Sequence, residues 1–92
     1  MPKYRLTSQA DIDLDDIAAF VAVDNIDAAV ELDARFTDIF EMLGENPRLG
    51  RERPELDYGL RSFPAGSYLV FYRTSVGEVL IVRVIHSARD LE

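Results

Sequence analysis

The chain contains no cysteine, no tryptophan, a single histidine and a single lysine. Without cysteine it forms no disulfide and offers no thiolate ligand, and one imidazole is too few for a zinc centre. No apolar run approaches the roughly 20 residues that span a bilayer, and the first residues lack the apolar segment of a secretory signal. We therefore expect a cytoplasmic protein that uses no metal or cofactor and does not insert into a membrane.

Basic residues are scarce, and they are unevenly distributed along the 92 residues, whose formal net charge is −7. Residues 1–46 carry eleven acidic and three basic side chains, whereas residues 47–92 carry six acidic side chains and seven arginines. Because an acidic protein is repelled by a phosphate backbone, we expect no sequence-specific binding to nucleic acid. Cationic contacts with a partner should come from the second half of the chain.

Apolar periodicity in the first half predicts a short strand over Lys3–Thr7 followed by two helices. Thr7 or Ser8 caps the first helix, whose apolar positions are Ala10, Leu14, Ile17, Phe20 and Val21. It ends near Asp24–Asn25, where Asn25 can cap the next helix. The apolar stripe of the second helix comprises Ala29, Leu32, Phe36, Ile39, Phe40 and Leu43. We expect this helix to end before Gly44, with the glycine as a left-handed terminator.

The second half predicts a loop and then three strands. Residues 46–58 are rich in proline, glycine and charge and show no periodicity, so we interpret their three arginines as part of a solvated connection rather than a phosphate site. Strands follow at Leu60–Phe63, Tyr68–Arg73 and Val79–His86, the last being the most apolar and hence central. The order β-α-α-β-β-β predicts a single α+β domain over residues 1–92, with a helical hairpin on one face of a small, mostly antiparallel sheet.

The predicted last strand is apolar on both of its faces. Strict alternation gives one row of Leu80, Val82, Val84 and His86 and another of Val79, Ile81, Arg83 and Ile85. Since two helices cover only one face of a sheet, we expect a partner to cover the other.

The stretches LRSFPAGSYLVFYR and IVRVIHSARDL, preceded by DLDDIAAF and NPRLGRERPEL, together carry a family pattern that spans nearly the whole chain. They resemble the ParE toxins of the RelE/ParE toxin–antitoxin superfamily. The resemblance implies a bacterial toxin that forms a hetero-oligomer with a cognate antitoxin and inhibits DNA gyrase. RelE relatives on the same fold instead cut messenger RNA on the ribosome, and fold alone does not separate the two activities.

The resemblance directs attention to side chains of the C-terminal half. The candidates for antitoxin or target binding are Arg61, Tyr72, Arg73, Ile81, Arg83, Ile85, His86 and Arg89. If the chain is a ribonuclease, its catalytic candidates are Arg61, Arg83 and His86, because RNA cleavage needs cations and a proton-transfer group. RelE-type nucleases add a tyrosine or histidine pair near the chain end, whereas here Ser87 follows His86 and no tyrosine follows Tyr72.

We therefore expect a gyrase-binding inhibitor rather than an enzyme. The alternatives are a ribosome-dependent endoribonuclease and a non-toxic protein that only binds the antitoxin. Arg83 and Arg61 can equally well pair with acidic neighbours or contact a partner, and a lone histidine such as His86 is more often structural than catalytic. Arg89 can form a salt bridge with Asp90 or fix the C-terminal tail against the sheet.

Overall fold

The computed structural model describes residues 3–89, without the side chain of Arg89, and consists of two helices on one face of a five-stranded sheet. The elements in chain order are β1 (Tyr4–Leu6), α1 (Ser8–Asp24), α2 (Ile26–Glu45), β2 (Arg51–Glu52), β3 (Leu60–Ala65), β4 (Tyr68–Ser75), β5 (Glu78–His86) and a 3-10 turn (Ser87–Arg89). The sheet order is β1-β5-β4-β3-β2, and only the β1–β5 pair is parallel. The predicted α+β architecture is confirmed, and β5 has a neighbour on each side. The predicted Arg89–Asp90 pair lies outside the described residues.

Side-chain caps set the boundaries of the helical hairpin. The hydroxyl of Thr7 accepts a hydrogen bond of 3.0 Å from the Ala10 amide, so Thr7 rather than Ser8 caps α1. The amide oxygen of Asn25 accepts a 3.0 Å bond from Ala28, while the Asn25 backbone amide donates to Val21. One residue therefore ends α1 and begins α2, as the sequence predicted.

Gly44 does not end α2, and that prediction is wrong. The helix continues through Gly44 to Glu45 and is followed by Asn46. A Cβ atom at Gly44 would lie 2.9 Å from both the Cβ and the carbonyl oxygen of Lys3. The glycine is therefore required for the close approach of the chain just before β1.

The predicted loop contains a two-residue strand that the sequence did not indicate. Arg51 and Glu52 pair with Ser62 and Arg61 of β3. Two residues are too few to show a periodicity, so only the pairing reveals them. β3 also extends beyond its predicted end, through Pro64 to Ala65.

A β-bulge in β5 invalidates the predicted alternation of its faces. Phe71 of β4 pairs with Arg83 but Tyr72 pairs with Ile81, so Val82 is an extra residue in β5. Ile81 packs in the cluster between the sheet and the helices, whereas Ile85 packs on the opposite face. The prediction that Ile81, Arg83 and Ile85 share one face is therefore wrong.

The apolar core is divided by the sheet. Between sheet and helices lie the buried residues Ala10, Phe36, Phe40, Leu43, Ala65, Val70, Tyr72, Val79, Ile81 and Val84. On the other face Leu60, Phe71 and Ile85 form a smaller cluster, with Leu56, Leu69 and Val82 packed against it. The Arg53 guanidinium carbon lies 5.5 Å from the centre of the Phe71 ring, and Phe71 is completely buried. The chain itself therefore covers part of the face that we expected a partner to cover.

Candidate functional site

Beyond the end of β1, the side chains of Thr7 and of α1 bind the backbone edge of β5 that β1 leaves unpaired. β1 pairs with β5 only as far as Ile81. The Thr7 hydroxyl then donates to the Val82 carbonyl at 2.9 Å, and the carboxylate of Asp13 accepts a 2.9 Å bond from the Val84 amide. These two side chains replace the hydrogen bonds that a longer β1 would have provided.

Asp13 also binds Arg83, one of the candidates named from the sequence. Arg83 donates from Nε at 2.8 Å and from Nη2 at 3.1 Å, one bond to each carboxylate oxygen of Asp13. Gln9 adds a third side-chain bond at 3.0 Å, so the carboxylate accepts four hydrogen bonds in all. The Asp13 side chain is only 7% exposed, and that of Arg83 is 34% exposed. The structure thus shows Arg83 in a bidentate ion pair with an acidic neighbour.

The environment of Asp13 favours its charged form. Burial raises the pKa of this carboxyl, but the hydrogen bonds from Arg83, Val84 and Gln9 outweigh burial and hold the pKa below the ordinary value of 3.8. Hydrogen bonding to the Asp13 carboxylate raises the pKa of Arg83. Both groups are therefore charged at neutral pH.

We expect the stability that Asp13 contributes to be lost in acid. Because its pKa is lowered by folding, the contribution is fully present above the unfolded-state pKa of about 3.9 and declines as the pH falls through the folded-state pKa. Urea unfolding of the wild type and of Asp13→Asn should show a stability difference that is constant near neutrality and shrinks below about pH 4. A difference that does not change with pH would contradict this role of the carboxylate.

A groove of about 480 Å³ lies between α1 and the end of β5, lined in part by Asp13, Asp16, Phe20, Tyr68, Arg83 and His86. The His86 ring meets the Tyr68 ring edge-on, with 5.3 Å between ring centres. Its Nδ1 atom accepts a 3.1 Å hydrogen bond from the Ala88 amide, which fixes the orientation of the imidazole. Of the predicted site residues, Arg83, Ile85 and His86 line this groove.

The side chains of Arg61 and Tyr72 bind backbone groups of the connection between α2 and β2. The Tyr72 hydroxyl donates to the Pro47 carbonyl at 2.8 Å and accepts a 2.7 Å bond from the Gly50 amide. Arg61 donates to the carbonyls of Gly50 at 2.7 Å and Arg48 at 3.3 Å. Burial raises the pKa of Tyr72, so its hydroxyl remains protonated and able to donate.

We expect Tyr72→Phe to lower the free energy of unfolding by about 1–2 kcal/mol, because it leaves the Gly50 amide and the Pro47 carbonyl without this buried partner. Tyr58→Phe is the matched control, since Tyr58 is 91% exposed. Chemical denaturation of both variants measures the difference. Equal stability of the two variants would contradict the inference that the hydroxyl fixes this loop.

The remaining candidates lie in other surroundings. Arg73 donates to the Tyr58 carbonyl at 2.6 Å and pairs with Asp57, so it holds the segment before β3. Ile81 is completely buried and does not line the groove. The structure therefore brings Arg83 and His86 into one groove, but Arg61 and Arg73 do not line it.

Two residues of the groove, Phe20 and Asp13, were not among the predicted site residues. Phe20 was predicted to join the apolar face of α1, but it is 76% exposed, so that prediction is wrong. Asp13 was the second residue that the prediction missed. It lies three residues after Ala10 and four before Ile17, within the apolar face of α1, and an acid at such a position signals a buried partner.

Among residues 3–89, no group of three or more histidine, aspartate or glutamate side chains is arranged to hold a metal ion. No helix in that range is both long and apolar enough to cross a membrane.

A protein-family model described as the ParE toxin of the type II toxin–antitoxin system, parDE, matches residues 4–91. The chain belongs to the ParE toxin family. Toxin ParE1 of Caulobacter vibrioides is 35% identical to this ParE toxin over 91 residues, which cover 98% of this chain and 94% of the relative. Toxin ParE1 of Mycobacterium tuberculosis is 44% identical over 48 residues, covering 51% of this chain and 49% of the relative.

Solved structures include a chain with the same fold as this ParE toxin. It comes from the chromosomal ParDE toxin–antitoxin system of P. aeruginosa and superposes with a TM-score of 0.76, covering 94% of this chain and 96% of that one at 21% identity. Membership in the family makes this ParE the toxin component of a type II system and gives it an antitoxin as partner.

Proposed function

We propose that this ParE toxin inhibits DNA gyrase by binding, without cutting a nucleic acid, and that it acts in the bacterial cytoplasm until a cognate antitoxin neutralises it. The main observation in support of this proposal is the bidentate ion pair between Arg83 and Asp13. This pair commits Arg83, the arginine that lines the groove with His86, to a carboxylate of the same chain.

Ribonuclease chemistry needs cations and proton-transfer groups that converge on one phosphate. Arg83 is neutralised by Asp13, and Arg61 binds the backbone carbonyls of Gly50 and Arg48. Of the three catalytic candidates, only Arg83 and His86 line the groove. This separation supports binding over catalysis.

The net negative charge of the chain supports a target that is not bound through its phosphate groups. Its net charge is −7, and its helices carry eleven acidic side chains with Arg35 as their one basic residue. Such a surface repels RNA. A protein partner does not require a cationic groove, so the charge is compatible with gyrase as the target.

The proposal is tested by brief expression of the toxin alone in bacteria, with parallel pulse labelling of new DNA and new protein. We expect DNA synthesis to fall first while translation continues. His86→Ala should retain this effect, because the proposal gives the imidazole no chemical step. An early fall in translation that His86→Ala abolishes, with folding and antitoxin binding retained, would instead identify a ribonuclease. Absence of any growth defect would identify a non-toxic antitoxin-binding protein.

A further inference from the structure

The connection between α2 and β2 is fixed through its backbone, while two of its central side chains are exposed. Tyr72 and Arg61 bind three of its backbone carbonyls. The side chains of Arg48 and Leu49 are exposed, that of the leucine at 50%. Because the backbone beneath these two side chains is already ordered, a partner that binds them pays less conformational entropy than it would on a flexible loop.

Arg48 and Leu49 line a cleft of about 840 Å³ between the end of α2 and the β4–β5 turn. We call it the arginine cleft. It is separate from the groove at the end of β5, because Tyr68 at the start of β4 lines the groove and Ser75 at the end of β4 lines the cleft. The seven residue steps between them span about 23 Å along the strand. The chain therefore has a second concave surface at the opposite end of its central strands.

Arg48 gives the arginine cleft a positive charge that no neighbour compensates. The other charged residues that line the cleft are Lys3, Glu45 and Glu78. Lys3 pairs with Glu45 at 3.3 Å, and Glu78 pairs with Arg5. Within residues 3–89 the Arg48 guanidinium forms no hydrogen bond and no ion pair. Charge complementarity therefore favours a carboxylate as the partner of this group.

The composition of the arginine cleft favours a protein over a nucleic acid. A nucleic acid presents a row of phosphates, and one guanidinium beside Glu45 and Glu78 offers no matching row of cations. A protein segment needs only one carboxylate to meet Arg48 and one apolar side chain to cover Leu49. Arginine is also enriched among the residues that contribute most to protein interfaces.

We propose that Arg48 and Leu49 anchor the toxin on its protein target, and that the arginine cleft receives a segment of the target with a carboxylate beside an apolar side chain. This inference rests on the proposed function, because it gives the binding to gyrase a surface on the toxin. The guanidinium can bind the carboxylate through two parallel hydrogen bonds, which orients the target segment. The leucine adds apolar area next to that pair.

The direct test measures how the toxin inhibits DNA supercoiling by purified gyrase. Arg48→Ala/Leu49→Ser should raise the toxin concentration for half inhibition about thirtyfold, the loss typical of central interface residues. Arg35→Ala/Ile12→Ser is the matched control on the helices, since it removes the same charge and an apolar side chain that is 51% exposed. The control should inhibit within about twofold of the wild type. Wild-type inhibition by the cleft variant, or an equal loss in the control, would overturn the inference.

Urea unfolding of the same proteins separates anchoring from folding. The cleft variant should unfold at the same urea concentration as the wild type, because it removes only exposed side chains and leaves the backbone bonds of the connection in place. A loss of inhibition that comes with unfolding at a much lower urea concentration would overturn the anchoring role.

Single substitutions at Arg48 test the charge of the target segment. Arg48→Lys should lose less inhibition than Arg48→Ala, because it keeps the positive charge. Arg48→Glu should lose more than Arg48→Ala, because it places a like charge against the target carboxylate. If Arg48→Glu inhibits gyrase as well as Arg48→Ala does, the assignment of an acidic partner is overturned.

Calorimetric titrations with gyrase free of DNA, and with plasmid DNA free of gyrase, identify the kind of partner. We expect the wild type to bind gyrase alone, the cleft variant to bind it more weakly, and neither to bind DNA alone. Binding to DNA that the cleft variant loses, with unchanged affinity for gyrase, would assign the cleft to phosphate and overturn the inference.

The wild type separates this inference from the proposed function. A wild-type toxin that neither binds nor inhibits gyrase would overturn the proposed function, and this inference with it. A wild type that inhibits gyrase and a cleft variant that inhibits it equally well would overturn this inference alone.

Discussion

We expect Asp13→Ala to lower the free energy of unfolding by about 3 kcal/mol, the low end of the range for breaking a buried ion pair. The variant removes the acceptor of the Val84 amide and of Arg83 at the edge of β5. The amide keeps its desolvation cost and loses its bond. Because Arg83 is 34% exposed, water replaces part of the lost ion pair, which is why we expect the low end of the range.

The two partners of the pair should not be equivalent. Arg83→Ala leaves Asp13 with its bonds from Val84 and Gln9, so we expect it to cost only about 1–2 kcal/mol. Urea unfolding of both single variants and the double variant gives the coupling energy. If Asp13→Ala costs no more than Arg83→Ala, Asp13 does not hold the edge of β5.

We expect Gly50→Ala to have the second large effect and to lower the free energy of unfolding by about 2–3 kcal/mol through overpacking. A Cβ atom at Gly50 would lie 2.5 Å from the Tyr72 hydroxyl oxygen, 2.6 Å from a carbon of its ring and 2.9 Å from the Ser62 carbonyl. Tyr72 is completely buried in the core and cannot move aside easily. We therefore expect the added methyl group to push the loop away from the sheet and to weaken its hydrogen bonds to Tyr72 and Arg61.

Gly66→Ala is the matched control for Gly50→Ala. A Cβ atom at Gly66 would meet nothing within 4 Å, although its φ of 62° is left-handed. We expect a cost of about 1 kcal/mol from that backbone conformation alone. Thermal and urea unfolding compare the two variants. A Gly50→Ala protein as stable as Gly66→Ala would contradict the close packing of the loop against Tyr72.

The helices and their junction could be predicted because the relevant signals are local. Asn25 shows as a cap in the sequence, and the stripe containing Phe36 and Phe40 repeats at helical spacing. Gly44 shows the limit of such reasoning, because the feature that requires a glycine there is Lys3, which is distant in sequence. Local sequence patterns predict the helix, but they do not predict which distant residues pack against it.

The site was predicted less well because its geometry depends on pairing between strands. The bulge at Val82 arises from the register of β5 against β4, and no periodicity within the sequence of β5 predicts it. Arg61 and Arg83 look alike in the sequence, yet one binds loop carbonyls and the other a carboxylate 70 residues away. The acid at position 13 was detectable as an anomaly of the apolar face, but its partner was not.

The measurement that tests the proposed function most directly uses purified components. The toxin is incubated with DNA gyrase and plasmid DNA, and separately with translating ribosomes and messenger RNA, each with and without the antitoxin. We expect inhibited supercoiling or accumulated cleaved DNA with gyrase, relief by the antitoxin, and intact messenger RNA. Cleaved messenger RNA with unaffected gyrase would contradict the account and assign the toxin to the ribonuclease branch.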